Sequence, residues 1–314
     1  MDLLEFFAAA RLLVVAGKGG VGKTTVTAAL ASSAARAGQR VLVVEVEGKS
    51  GLVGLLGGQG ELGYEEVTYA AGLGPAGTGE LRARTITPAH ALVDYFEEHG
   101  MRRLSHRLGR SGVLDIVATA APGLDDILVL GKVKQLERLR TADLILLDAP
   151  AAGHAITFLQ SANGLLDAVD VGPINTQARD VVELLSDPTR TQVLLVTLPE
   201  ETPVNELVET AFALEDRVGI ALGPVVVNGL YPEVELDLAA IDGAEALAPS
   251  DREALRAAAA FRQDRVTLQR EQVARLGERL PLPQIHLPFL FTANLAPADV
   301  DVLGTELTAG IGAL

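Results

Sequence analysis

The sequence predicts an α/β fold, a doubly wound and mostly parallel sheet with helices on both faces, and three observations predict it. Short β-branched runs alternate with longer helical patterns along most of the chain. Those runs are apolar at nearly every position, as strands covered on both faces must be. Between them, apolar residues recur at helical spacing, which is what right-handed βαβ crossovers require.

Taken in order, Arg11–Ala16, Arg40–Val46, Leu114–Ala118, Leu144–Asp148, Thr191–Leu198 and Gly223–Asn228 read as strands. Thr24–Ala37, Leu124–Leu139, Gly153–Gln160 and Val204–Val218 read as the helices between them. Residues 51–79 are rich in Gly and poor in strong helix or strand formers, so a long loop or mobile segment is expected there. A helical insertion is expected over 88–139 and an acidic linker over 231–250, because Glu233–Asp251 carries acids and no base. A late helical region, Asp251–Leu276, follows. With no internal repeat, the 314 residues are expected to form a single domain.

Lys and Arg number 26 against 41 Asp and Glu, and the net charge of −15 opposes nonspecific attraction to nucleic acid or anionic lipid. There is no cysteine, which excludes disulfides, thiolate metal sites and iron–sulfur clusters. The segment Met1–Phe7 carries acids where a secretory leader would carry bases, and no apolar run reaches the ~18 residues that cross a bilayer. A cytoplasmic protein is expected, with no integral membrane segment and no nucleic-acid partner.

Leu12–Ala16 enters the run Gly17-Lys18-Gly19-Gly20-Val21-Gly22-Lys23-Thr24-Thr25, and a helical pattern follows at once. Strand, glycine loop and helix in that order make a phosphate cradle. Glycines let backbone N–H groups approach phosphate oxygens, and the helix N-terminus adds its positive end. In that context Lys23 reaches the β- and γ-phosphates of ATP, Thr24 ligates Mg²⁺ and Thr25 reaches the α-phosphate.

Phosphoryl transfer also needs acids at the carboxyl ends of neighbouring strands. Leu144–Leu147 ends in Asp148, positioned to hold Mg²⁺, and Ala149–His154 continues as a switch loop. Strand Val41–Val44 runs into Glu45-Val46-Glu47, whose two acids share a face. Glu47, further beyond the strand end, is the candidate to position the attacking water; a salt-bridging loop residue is the other reading. His154 is a candidate proton shuttle, a sensor or a structural residue. Asn228, at a strand end, can hydrogen-bond an adenine edge or cap a turn.

With these residues in hand, the chain resembles the anion-transporting ATPase family, which contains the arsenite-pump ATPase and the ATPase that delivers tail-anchored membrane proteins. The likeness rests on the phosphate loop and on Asp148-Ala149-Pro150-Ala151-Ala152-Gly153-His154. It extends to Val196–Glu200, Val225–Asn228 and Leu287-Pro288-Phe289. It implies a P-loop ATPase of the deviant Walker A class, a homodimer or a heterodimer with a related ATPase chain, closing on two ATP molecules and coupled to a client that the sequence does not name. Lys18 would cross to the partner's nucleotide, Asn228 with Pro288 and Phe289 would hold adenine, and Glu47, Lys18 and Lys23 would be catalytic.

Three departures qualify the likeness. The family's first switch reads Asp-Pro-Ala-His, where this chain has Glu47-Gly48-Lys49-Ser50, a pattern that resembles one chain of paired actinobacterial members and implies slow hydrolysis. No cysteine is present to bind arsenite or a zinc clamp, and two Met in the whole chain supply no Met-rich client groove. A weakly hydrolysing subunit of a heterodimer is the alternative. A septum- or partition-type spatial organiser is another, although Asp299–Leu314 has no Lys or Arg to bind a membrane.

Overall fold

Strand β1 (Leu12–Ala16) is buried at every position, because its odd and even residues enter two different cores. Leu12 and Val14 join one apolar layer, and Leu13 and Val15 join the other. A computed structural model describes residues 2–46, 51–98, 123–234, 238–243 and 246–314.

Helix α1 (Leu3–Ala8) precedes β1 and buries Phe6 and Phe7. After β1 come α2 (Lys23–Arg36), β2 (Arg40–Val46), α3 (Gly51–Leu55), β3 (Val67–Leu73), β4 (Gly79–Ile86) and α4 (Pro88–Glu98). Then follow α5 (Leu124–Leu139), β5 (Leu144–Asp148), α6 (Ala152–Ala168), α7 (Pro173–Ser186), β6 (Thr191–Thr197) and α8 (Glu201–Val218). The chain continues through β7 (Ala221–Leu230), α9 (Leu238–Gly243), α10 (Pro249–Arg279), β8 (Gln284–Pro288) and α11 (Pro297–Gly312).

The strands form one sheet in the order β3-β4-β2-β5-β1-β6-β7-β8. Every neighbouring pair is parallel except β3 with β4. One face is covered by residues of α5, α6, α7 and α8, and the other by α1, α2, α3 and α11. This is the doubly wound α/β sheet expected from the sequence. Parallel strands bring the carboxyl ends of β1, β2 and β5 to one edge, where open sheets of this kind bind ligands.

Several expectations need correction. Residues 51–79, expected as a long loop, hold α3, β3 and the start of β4. The glycines there hid a short buried run, Leu52, Val53 and Leu55, that packs on the α2 side, while β3 gains its partner only from the antiparallel ladder with β4. Tertiary pairing overrides weak local propensity at a sheet edge. Part of the expected acidic linker is helix α9, and α10 begins at Pro249, with proline at the first turn where its missing N–H costs nothing. The helix expected over Gly153–Gln160 runs on to Ala168. Strand β8 and helices α7 and α11 were not anticipated. The expected strand Leu114–Ala118 lies outside the described residues, as does most of the connection between α4 and α5.

Candidate active site

The loop between β1 and α2 is shaped by close approach. At Gly17 an added Cβ would meet the Val196 carbonyl oxygen of β6 at 2.2 Å, so no side chain fits. At Gly22, the residue before α2, the backbone is left-handed with φ +91°, and a Cβ would meet Asn228 Nδ2 at 2.3 Å. Asn228 is there for a reason: its Nδ2 donates to the Val21 carbonyl at 2.9 Å. The strand end of β7 thus pins the loop that β1 and α2 create.

Lys23 opens α2, and its Nζ donates back to the Lys18 carbonyl at 3.1 Å. One helical position on, Thr24 Oγ1 donates to Asp148 Oδ2 at 2.7 Å, joining the start of α2 to the end of β5. Asp148 is 6% exposed, and its neighbour across the ladder is Glu45, 2% exposed, at the end of β2. Burial first, and the Asp148 charge second, push the Glu45 carboxyl up to about 7. Among the described residues, neither Glu45 oxygen accepts a hydrogen bond. Lys23, Thr24, Glu45, Val46, Asp148 and Ala149 line one cavity together with the loop glycines.

A second cavity lies on the other side of the loop, bordered by Gly22, Thr25, Asn228, Gly229, Pro288 and Phe289. Phe289 sits in an aromatic cluster, tilted against Tyr231 with ring centroids 5.0 Å apart and edge-on to Phe291 at 4.9 Å. The Arg262 guanidinium of α10 sits 5.4 Å from the Phe291 ring.

Of the residues predicted from sequence, the structure brings together Gly17, Gly19, Gly20, Val21, Gly22, Lys23, Thr24, Thr25, Asp148, Asn228, Pro288 and Phe289 around one loop. Lys18 is turned to its own chain, with Nζ 2.7 Å from Glu206 Oε1 of α8. His154 is exposed in the first turn of α6. Glu47 lies outside the described residues, one position beyond the last residue of β2. Glu206, Tyr231 and Phe291 also belong to the site, and no sequence motif marks them. Only the spacing of Phe289 and Phe291 gave any local signal.

A parallel sheet whose first strand enters a glycine loop, with a lysine and threonine opening the next helix and an aspartate closing a neighbouring strand, defines a P-loop nucleoside-triphosphatase fold. The chain belongs to the anion-transporting ATPase family, whose model matches residues 10–171. ATPase BagA of Mycobacterium tuberculosis is similar at 34% identity over 229 residues, covering 71% of this chain and 66% of that protein. An arsenical pump-driving ATPase of Escherichia coli is 26% identical over 243 residues, covering 71% of this chain and 40% of that one. A Halobacterium salinarum relative is 25% identical over 322 residues, covering 96% of this chain and 45% of its own length. The chain therefore spans just under two thirds of the mycobacterial relative and less than half of the other two. Among the described residues, no helix is long and apolar enough to cross a membrane.

Proposed function

We propose that this chain binds Mg-ATP in the loop Gly17–Thr25 and hydrolyses it slowly, as a dimeric switch whose closure is coupled to a client or partner chain. The observation that carries this reading is the 2.7 Å contact of Thr24 Oγ1 with Asp148, formed beside Lys23 on the rim of one cavity. The loop N–H groups and the start of α2 present positive dipole ends to phosphate oxygens, and Lys23 adds a full charge. Thr24 and Asp148 offer the hard oxygen ligands that Mg²⁺ prefers, and the Glu45 oxygens on the same rim, without a hydrogen-bond partner among the described residues, fit a site built for a cation. An Mg²⁺ held by Thr24 and Asp148 would neutralise charge that develops on the transferred phosphoryl group. Asn228, Pro288 and Phe289 line the cavity suited to adenine, on the far side of the loop.

The dimer rests on Lys18. A second lysine at the start of the loop is not needed by the phosphates that Lys23 serves, and in the reading proposed here it moves to the partner's nucleotide on closure. The arsenical-pump name belongs to the E. coli relative, and this chain has no cysteine to offer a metalloid, so that substrate loses support.

Calorimetry of Lys23→Ala tests the core of this reading. Mg-ATP binding should fall below detection, because the loop loses the charge that faces the β- and γ-phosphates. Retained tight binding would place the nucleotide elsewhere.

A further inference from the structure

Strand β2 sends Val41 and Val43, both fully buried, into the apolar layer beneath α2. Alternation puts residue 45 on the same face, where another apolar side chain would extend that layer. The sequence places a glutamate there instead. Glu45 is 2% exposed, and neither of its oxygens accepts a hydrogen bond among the described residues. An ionised carboxylate left in this state is costly, and packing alone supplies no reason to keep it.

What surrounds Glu45 supplies one. Its Cα pairs in register with that of Asp148 on the adjacent parallel strand, so both side chains leave the sheet on one face, with the strands about 4.8 Å apart. Asp148 already holds the Thr24 hydroxyl, and all three residues line the cavity at the mouth of the phosphate loop. Two carboxylates and a hydroxyl within such a span are hard oxygen donors, and a small divalent cation removes the repulsion between the two acids. Tyr69 of β3 stands close enough for the Glu45 charge to act on it, but its phenol does not hydrogen-bond the carboxylate.

We propose, starting from the nucleotide site read above, that Glu45 is a ligand of the divalent cation there, so that Glu45, Asp148 and Thr24 take up one cation before nucleotide arrives. An order of events follows. A cation held by two acids first neutralises the cavity, and a polyphosphate then meets a net positive loop instead of two buried carboxylates.

The test uses the full chain freed of nucleotide. Mn²⁺ is titrated and the unbound ion read by electron paramagnetic resonance, with a parallel melting-temperature series in Mg²⁺. The wild-type chain should take up one Mn²⁺ and be stabilised by Mg²⁺. Glu45→Gln, which keeps the shape of the side chain, should weaken Mn²⁺ uptake at least tenfold and flatten the Mg²⁺ series, and Asp148→Asn should do the same. Uptake by Glu45→Gln within twofold of wild type, or no uptake by folded wild-type chain, overturns the proposal. Binding of a fluorescent ATP analogue in saturating Mg²⁺ separates the two readings. Mn²⁺ uptake with no analogue binding leaves the cation site standing and removes the nucleotide reading. Analogue binding with undiminished Mn²⁺ uptake by Glu45→Gln removes the role of Glu45 alone.

Discussion

Lys18 Nζ lies 2.7 Å from Glu206 Oε1, so the first lysine of the phosphate loop is held by helix α8 of its own chain. Both side chains remain about two fifths exposed, at 37% and 41%. A pair this open is worth roughly 0–1 kcal/mol, small enough to break when a better anion arrives. If Lys18 serves a partner's nucleotide, Glu206 competes with that nucleotide for it. Lys18→Ala should keep ATP binding while losing most hydrolysis and ATP-dependent association. Glu206→Gln should strengthen that association by up to about fivefold, the equivalent of the pair's upper value. Sedimentation with and without a nonhydrolysable ATP analogue measures both, and unchanged association in the two variants removes the cross-dimer role.

The bond from Asn228 Nδ2 to the Val21 carbonyl makes the loop's shape depend on a strand far away in sequence. A hydrogen bond of this kind contributes about 0.5–1.5 kcal/mol net, so Asn228→Ala should lower ATP affinity roughly threefold to tenfold through a looser loop. Gly22→Ala faces two costs, a left-handed backbone at φ +91° and a Cβ 2.3 Å from that same amide. Removing the amide removes the second cost. The double variant should therefore be less impaired than the two single effects added together, and thermal unfolding of the four proteins reads the coupling. Strict additivity would show that the amide and the glycine do not constrain each other.

How far the sequence led can be judged from particular strands. β1, β2, β5 and β6 were legible because each is a short apolar run between two helical layers, and the hydrophobic pattern alone requires that burial. β4 was not, since its charged residues are accommodated by partners the sequence does not reveal: Arg82 and Arg84 both pair with Glu66. β8 is short, and Ile285 and Leu287 become a strand only through their ladder with β7. In the site, the loop, Thr24 and Asp148 followed from one contiguous motif and one strand end. Glu206 lies 188 residues from Lys18, and no periodicity connects the two. Glu45 was visible as an acid sharing a face with Glu47, but its burial beside Asp148 is a property of the sheet.

At the opposite end of β2, Arg40 clamps Asp143 just before β5, with Nε at 3.1 Å and Nη2 at 2.6 Å, while its backbone N–H donates at 2.9 Å. The Arg40 side-chain bond is the chief cause that holds the Asp143 carboxyl below its ordinary 3.8, against a smaller opposing effect of burial. A depressed folded value means that this stability is present above the unfolded value and is lost as pH falls through the folded one. Asp143→Asn should therefore melt below wild type near neutral pH, and the gap should close in strong acid. Urea midpoints of the two proteins between pH 7 and pH 2 follow it. A gap that stays constant over that range would assign the effect to packing rather than to charge.

Glu47 follows Val46, the final residue of β2 and part of the cavity lining beside Lys23 and Thr24. A carboxylate one position past that point can accept a hydrogen bond from a water approaching the γ-phosphate. The family's switch carries aspartate and proline, whereas Glu47 adds a methylene and Gly48 removes the ring that would restrict the backbone. A water displaced by about 1 Å can lose on the order of a hundredfold in rate, and a looser loop samples the productive position less often. Hydrolysis should thus be slow while binding stays intact. Glu47→Gln should leave ATP affinity within about twofold and remove the residual turnover. Glu47→Asp should raise turnover if shortening the side chain restores the water's position. Single-turnover hydrolysis by the purified chain, alone and mixed with a related ATPase subunit, reads all three proteins. Turnover unaltered by Glu47→Gln would sink the assignment and make Glu45 or a residue of the partner chain the better candidate to position the water.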